Sequence, residues 1–256
     1  GIVEFNLDAY QEIRHNIIGY RASVPAHAGI ALPQLDNMGK ARSRGIDFSG
    51  KIQHAFNKDL WVILNGTLTY NKVVYKEIEE AMNKPAWQRM VGKEISQKIG
   101  YISDGLFQDQ AEIENAPVQA GSPQPGDIRY KDISGPDGVP DGKIDPNYDR
   151  VYLGSRIPKF TFGLNLGVEY KGLDLSVLLQ GVAGVTGMLD GFAGWAFRGD
   201  GNIQKWQAEG RFDPANPTRY PAYPRLEDLS NSTTPNIVTS DFWTQDASYI
   251  RLKNIK

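Results

Sequence analysis

The residues best suited to chemistry lie in the run Asp132-Ile133-Ser134-Gly135-Pro136-Asp137-Gly138-Val139-Pro140-Asp141-Gly142-Lys143-Ile144-Asp145, where Asp132, Asp137, Asp141 and Asp145 supply four carboxylates. Hard cations such as Ca2+ take several oxygen ligands, and Asp-Gly-Lys-Ile-Asp offers a sharp turn followed by a hydrophobic pin. The match to a calcium loop is incomplete. Counted from Asp137, Val139 stands where the third ligand belongs. Counted from Asp132 with Ser134 third, an insertion precedes Asp141, and neither register has a Glu at its twelfth position. Asp-Gly pairs also make turns without metal. The loop therefore carries two readings, a Ca2+ site and a set of turns.

Other reactive constellations are thin. His15, His27 and His54 share no ligand spacing such as i, i+4, and no G-x-S-x-G elbow occurs. The chain has no cysteine, which excludes thiol catalysis, disulfides and Cys-based metal sites. Asp and Glu are plentiful enough for a glycosidase pair, but nothing singles out which two, so no enzyme is expected. Gly181, Gly184 and Gly187 recur every three residues without the strand–turn–helix setting of a phosphate loop. The stretch 183–245 holds Phe192, Trp195, Phe197, Trp206, Phe212, Tyr220, Tyr223 and Trp243. Aromatic side chains stack on sugars or on a partner when exposed, and otherwise hold a loop together by burial. Trp195 and Trp206 are the candidates for exposed contact with substrate or partner.

These side chains must be held by β structure. From Phe160 to Lys171 the chain alternates without interruption. Phe160, Phe162, Leu164, Leu166, Val168 and Tyr170 fall on one face, and Thr161, Gly163, Asn165, Gly167 and Glu169 on the other. After Lys171-Gly172 the alternation resumes through Leu173, Leu175, Val177 and Leu179, which reads as a hairpin with a very short turn. Further strands are expected at Ile2–Tyr10, at about 45–56, at 60–72 after the turn Asn57-Lys58-Asp59, and at 248–256. A short helix over 77–89 is expected from its charge and its scarcity of β-branched residues, Ile78 being the one present. The connections at 57–59 and 171–172 are short, whereas 11–43, 73–159 and 183–245 are long. Such segregation suits an outer-membrane barrel, with short periplasmic turns and long outside loops. On that reading the apolar strand face meets lipid and the polar face the lumen.

Composition agrees with an all-β protein and bounds its partners. The chain has 256 residues with 27 Gly, 15 Pro and 11% aromatics, as strands and structured loops require. No run of about 18 apolar residues exists, so no transmembrane helix is expected, a test that barrel strands escape. The mean hydropathy is -0.43. The net charge of -2, with signs mixed, carries no footprint for nucleic acid. The chain opens on Gly1-Ile2-Val3-Glu4-Phe5, already alternating, and reads as a segment of something longer.

Six strings then resemble one family in its own order. They are Met38-Gly39-Lys40-Ala41-Arg42-Ser43-Arg44-Gly45-Ile46-Asp47-Phe48; Gly105-Leu106-Phe107-Gln108; and Gly126-Asp127-Ile128-Arg129-Tyr130-Lys131-Asp132. After them come Asp141-Gly142-Lys143-Ile144-Asp145 with Asp149-Arg150 and Leu153-Gly154; Pro158-Lys159-Phe160-Thr161 through Gln180-Gly181; and Ser248-Tyr249-Ile250-Arg251-Leu252-Lys253-Asn254-Ile255. Together they resemble the SusC/RagA type of TonB-linked outer-membrane transporter. The resemblance implies a segment of a large antiparallel transmembrane β-barrel of the bacterial outer membrane, with long extracellular loops. Residues 1–256 would be part of its C-terminal half, the plug, the early strands and the final strands being absent. It also implies a SusD-like surface lipoprotein as lid, energy from the TonB complex, and an oligosaccharide or peptide as substrate. The competing reading is a soluble carbohydrate-binding β domain, whose apolar strand faces would form a core.

Overall fold

The computed structural model describes residues 2–21, 34–80, 88–227 and 234–256. Twelve strands occur in these residues: β1 (Val3–Tyr20), β2 (Leu35–Ala55), β3 (Leu60–Glu77), β4 (Gln97–Tyr101), β5 (Ser103–Leu106), β6 (Ile128–Tyr130), β7 (Arg150–Ser155), β8 (Phe160–Tyr170), β9 (Leu173–Ala183), β10 (Thr186–Met188), β11 (Thr244–Asp246) and β12 (Tyr249–Ile255). Three short helices accompany them, α1 (Gln110–Glu114), α2 (Gly191–Gly194) and α3 (Lys205–Gly210). The chain divides into two compact units, one of Gly1–Gln97, Ser155–Thr186 and Asp246–Lys256, the other of Lys98–Gly154 and Gly187–Gln245.

The first unit is a six-stranded antiparallel sheet in the order β1-β2-β3-β8-β9-β12. Its register turns the period-two pattern into continuous rows. Leu7, Phe48, Leu68, Phe162, Gly181 and Ile250 lie opposite one another across all six strands. So do Val3, Ile52, Leu64, Leu166, Val177 and Ile255. The intervening rows are mostly polar, for example Asp8, Asp47, Thr69 and Thr161. Successive side chains of a strand point to opposite faces, so from the row of Ile52 to that of Ile46 one face of the sheet is apolar, while the other is mostly polar. The apolar face is exposed: Leu166 at mid-strand is 37% accessible, and Phe5, Ile52, Leu68 and Leu252 are more so. Gly181 is where the Phe162 ring lies, since a Cβ there would run into that ring and into the Tyr249 carbonyl.

Turn chemistry explains the short connections. Lys171 (φ 48°) and Gly172 (φ 80°) both adopt the left-handed region. That is the two-residue hairpin geometry whose twist matches the flanking strands. At the other short turn the Asn57 side chain accepts from the amides of Asp59 (2.8 Å) and Leu60 (2.9 Å), closing the loop in place of backbone.

The strands run further than their alternation. β1 continues to Tyr20 and β2 begins at Leu35, so most of the expected connection 11–43 belongs to a ladder in which Gln11 faces Arg44, Glu12 faces Ser43 and Ile13 faces Arg42. β3 likewise runs to Glu77 rather than to residue 72. Backbone pairing needs no hydrophobic alternation, and where neither face meets an apolar medium the period-two signal disappears although the strand does not. The expected helix over 77–89 begins on strand at Glu77, and its centre, 81–87, lies outside the described residues.

In the second unit the pairs β4–β7, β5–β6 and β10–β11 surround an aromatic core of Tyr101, Leu106, Ile128, Tyr130, Ala196, Phe212, Tyr223 and Trp243. The stretch 183–245 is thus irregular in secondary structure but built around its own core.

Candidate functional site

The acidic loop of the second unit is organised by a residue outside the set of four aspartates. Asp149 is fully buried. Its Oδ1 accepts from the amides of Ile133 (2.8 Å) and Ser134 (3.1 Å), and its Oδ2 from the amide of Asp145 (2.6 Å). One carboxylate thereby staples both ends of the loop. The predicted ligands act locally. Asp132 Oδ2 accepts from the Gly142 amide (2.6 Å), Asp141 Oδ1 from that of Lys143 (3.0 Å), and Asp145 Oδ1 from that of Asn147 (2.6 Å). Asp137 and Asp141 are exposed. Among the described residues, no three His, Asp or Glu side chains gather as a metal ion would need. The structure does not bring Asp132, Asp137, Asp141 and Asp145 together: three of the carboxylates are taken up by backbone amides of the loop, and Asp137 lies exposed.

A second buried acid, Asp127, belongs to the Gly126-Asp127 string. It accepts from the Gln124 amide (2.8 Å), from Asn236 Nδ2 (2.7 Å) and from the Arg225 guanidinium. Asn236 Oδ1 in turn accepts from the Ile128 amide (2.9 Å), and the Trp243 indole donates to the Asn236 carbonyl (2.8 Å). Burial pushes the Asp127 carboxyl up, against the opposing pull of Arg225 and the donors around it. Nearby, Tyr130 is buried with its hydroxyl donating to the Pro235 carbonyl (2.7 Å), and burial drives its pKa well above the usual range. These contacts tie residues 124–130 to 225–243, more than ninety positions away. Sequence reasoning gave neither Asp127 nor Asp149 a role: Asp127 meets Arg225 and Asn236 far along the chain, and Asp149 serves amides up to sixteen positions before it.

Trp195 and Trp206 are half-buried rather than exposed. Trp206 meets Tyr223 edge-on at 5.5 Å, Tyr223 meets Trp243 at 5.7 Å, and the Trp206 indole donates to Gln204 Oε1 (2.8 Å). Trp195 carries the Arg198 guanidinium over its ring at 4.6 Å, and its indole N–H is buried with no acceptor. Large rings in a unit with few regular elements supply most of the area available for a core, which is why these two are drawn inward. The aromatics left outermost are Phe192 and Tyr220, each 75% exposed. Of the histidines, His15 lies on β1 and His54 on β2, while His27 falls outside the described residues. Among the described residues no helix is long and apolar enough to cross a membrane, a statement that does not touch strands.

Comparison with known proteins bears on the sheet as well as on this unit. Residues 1–244 match the family described as TonB dependent receptor-like, beta-barrel. The chain is 27% identical over 250 residues to TonB-dependent receptor P26 of Formosa agariphila, covering 91% of this chain and 23% of that protein. Among solved structures it is similar to the RagAB peptide transporter, with a TM-score of 0.68 at 18% identity over 99% of this chain and 26% of that one. The RagAB peptide importer in its open-open and closed-closed states gives TM-scores of 0.67 and 0.60. The chain thus spans about a quarter of the length of the relatives it matches.

Proposed function

Because the chain belongs to the TonB dependent receptor-like β-barrel family, we propose that it builds part of the wall and the long outer connections of an outer-membrane nutrient importer of the SusC/RagA type. The observation that carries this reading is the exposed apolar face running unbroken across all six strands of the sheet. From Leu60 to Tyr70 the face spans ten residue steps, ~33 Å of strand at ~3.3 Å each. At the ~40° tilt of barrel strands that is ~25 Å of height, the thickness of the lipid-facing band. Aromatic rings mark both limits. Tyr70 and Phe160 lie 5.1 Å apart at one end, and Tyr170 stands at the other. The polar face then borders the passage, and the long connections face the cell exterior. There they meet a SusD-like lipoprotein and an oligosaccharide or peptide cargo, with TonB engaged through parts of the transporter beyond these residues.

The chain contains no cysteine, so single thiols introduced here are clean reporters within it. In the full-length protein in liposomes, a polarity-sensitive label on Leu166→Cys should be quenched by a lipid-borne quencher and spared by an aqueous one, and a label on Asn165→Cys should show the reverse. Aqueous quenching at both sites would reject the lipid-facing assignment and favour a soluble sugar-binding β domain.

A further inference from the structure

On the apolar face, the row Ala9, Ile46, Tyr70, Phe160 and Ala183 carries no charge. The next row of that face toward the long connections reads Gln11, Arg44 and Lys72, and the one after it Ile13, Arg42 and Val74, with Lys76 beyond. Arg42, Arg44, Lys72 and Lys76, together with Val74 and Val91, line an open pocket of about 380 Å³. Among the described residues no carboxylate pairs with any of the four cations. Arg44 Nε donates to the neutral Gln11 Oε1 (2.6 Å), and Arg42 Nε is buried with no acceptor. Two acids of the neighbouring chain are held by other cations, Glu94 by Lys159 (3.5 Å) and Glu77 by Lys40 (3.1 Å).

A buried guanidinium N–H without an acceptor, beside three further uncompensated cations, is a site lacking its anion. Its position selects the kind of anion. Lys72 stands two residues past Tyr70 and Lys76 six, ~7 and ~20 Å along the strand at ~3.3 Å per residue. With the strand tilted ~40°, Lys72 stands ~5 Å above the aromatic row, where the polar layer flanking a ~30 Å hydrocarbon core begins, and Lys76 ~15 Å above it, on the outer side of that layer. Arginine forks suit phosphate oxygens, and the apolar rows below them offer a bed for acyl chains.

We propose that Arg42, Arg44, Lys72 and Lys76 form a binding site for the phosphate-bearing headgroup of a membrane lipid. The proposal rests on the reading that the apolar face meets a bilayer, and its test separates the two. The full-length transporter in maltoside detergent is titrated, by native mass spectrometry, with dioctanoyl phosphatidic acid, with dioctanoylglycerol and with inorganic phosphate. The wild type should bind the phosphatidic acid at least about tenfold more tightly than the diacylglycerol. In Arg42→Gln/Arg44→Gln/Lys72→Gln/Lys76→Gln that ratio should fall below about threefold. Arg44→Gln alone should give an intermediate ratio, which keeps the result readable if the fourfold variant does not fold. An unchanged ratio in the single and fourfold variants overturns the site. Inorganic phosphate binding as tightly as phosphatidic acid overturns the lipid and leaves a soluble-anion pocket. Flotation of the same preparations with phosphatidylcholine liposomes reports on the bilayer reading by itself. Protein that floats but shows no phosphate preference refutes the headgroup site alone, and protein that stays unbound refutes both.

Discussion

Asp149 accepts from three amides drawn from two separate stretches, Ile133-Ser134 and Asp145. Charged acceptors make the stronger hydrogen bonds, and removing one leaves its donors unsatisfied. Asp149→Ala should therefore destabilise the second unit by about 3 kcal/mol. Asp141→Ala, at an exposed carboxylate, should change stability by no more than about 0.5 kcal/mol. Chemical unfolding with amide exchange at Ile133 and Asp145 measures both, and equal effects would remove Asp149 as the staple. On the sheet, Leu166 and Asn165 are adjacent in sequence and opposite in facing. Arg at Leu166 should cost ~2–4 kcal/mol in the membrane-inserted protein, whereas Arg at Asn165 should be tolerated. Unfolding from phospholipid bilayers provides the comparison. The facing of these two residues was legible from alternation. The role of Asp149 was not, because its string carries no mark of the amides, up to sixteen positions away, that it serves.

At the scale of elements, hairpin β8–β9 depends on two residues with positive φ. Gly172→Ala should cost about 1 kcal/mol because an L side chain is disfavoured there. Lys171→Asn should be neutral or stabilising, since Asn tolerates the left-handed region. Equilibrium unfolding of the two variants tests the turn, and a Gly172→Ala protein as stable as its parent would show the turn to be adaptable. Helix α1 depends on charge. Asp109 caps it by accepting from the Glu112 amide (2.8 Å), and the Glu112 carboxylate reaches back to the Gln108 amide (2.7 Å). Burial works to raise the Glu112 pKa. The Gln108 amide and the Arg219 and Arg129 guanidiniums outweigh it and hold the carboxyl below the usual range. A lowered folded pKa adds stability that is complete above the unfolded value of about 4.3 and is lost as pH falls through the folded one. Protection of the α1 amides should thus drop below about pH 4, while Glu112→Gln should be weaker at neutral pH and insensitive over that window. Measured exchange that stays flat in the wild type would argue that the Arg pair contributes nothing.

For the whole molecule the decisive feature is the strand order of the sheet, which begins at β1 and ends at β12 with no pairing between the two. Each outer strand presents a row of backbone groups that recruits partners, and the apolar face demands cover in water. The isolated 256-residue chain should therefore associate through those edges or require detergent, as light scattering coupled to size exclusion would report. A detergent-free monomer with slow amide exchange along β1 and β12 would contradict this.

Period-two alternation and turn composition, both local, were enough to find the hairpin β8–β9, the antiparallel class and the two chemically distinct faces of the sheet. They needed nothing beyond the preference of each residue type for one side of a pleat. What lay beyond local pattern was decided by the fold. The strands outrun their hydrophobic repeats because ladder hydrogen bonds form wherever two backbones stay in register, whatever the side chains. The four aspartates of the acidic loop stand apart because Asp132, Asp141 and Asp145 are each taken up by a backbone amide of the loop while Asp137 lies exposed, and Trp195 and Trp206 turn inward because an irregular unit needs their area for a core. The basic pocket exists because register brings cations of β2 and β3 onto the same rows. Spacing along the chain cannot reveal distances between strands, and those distances are what make a site.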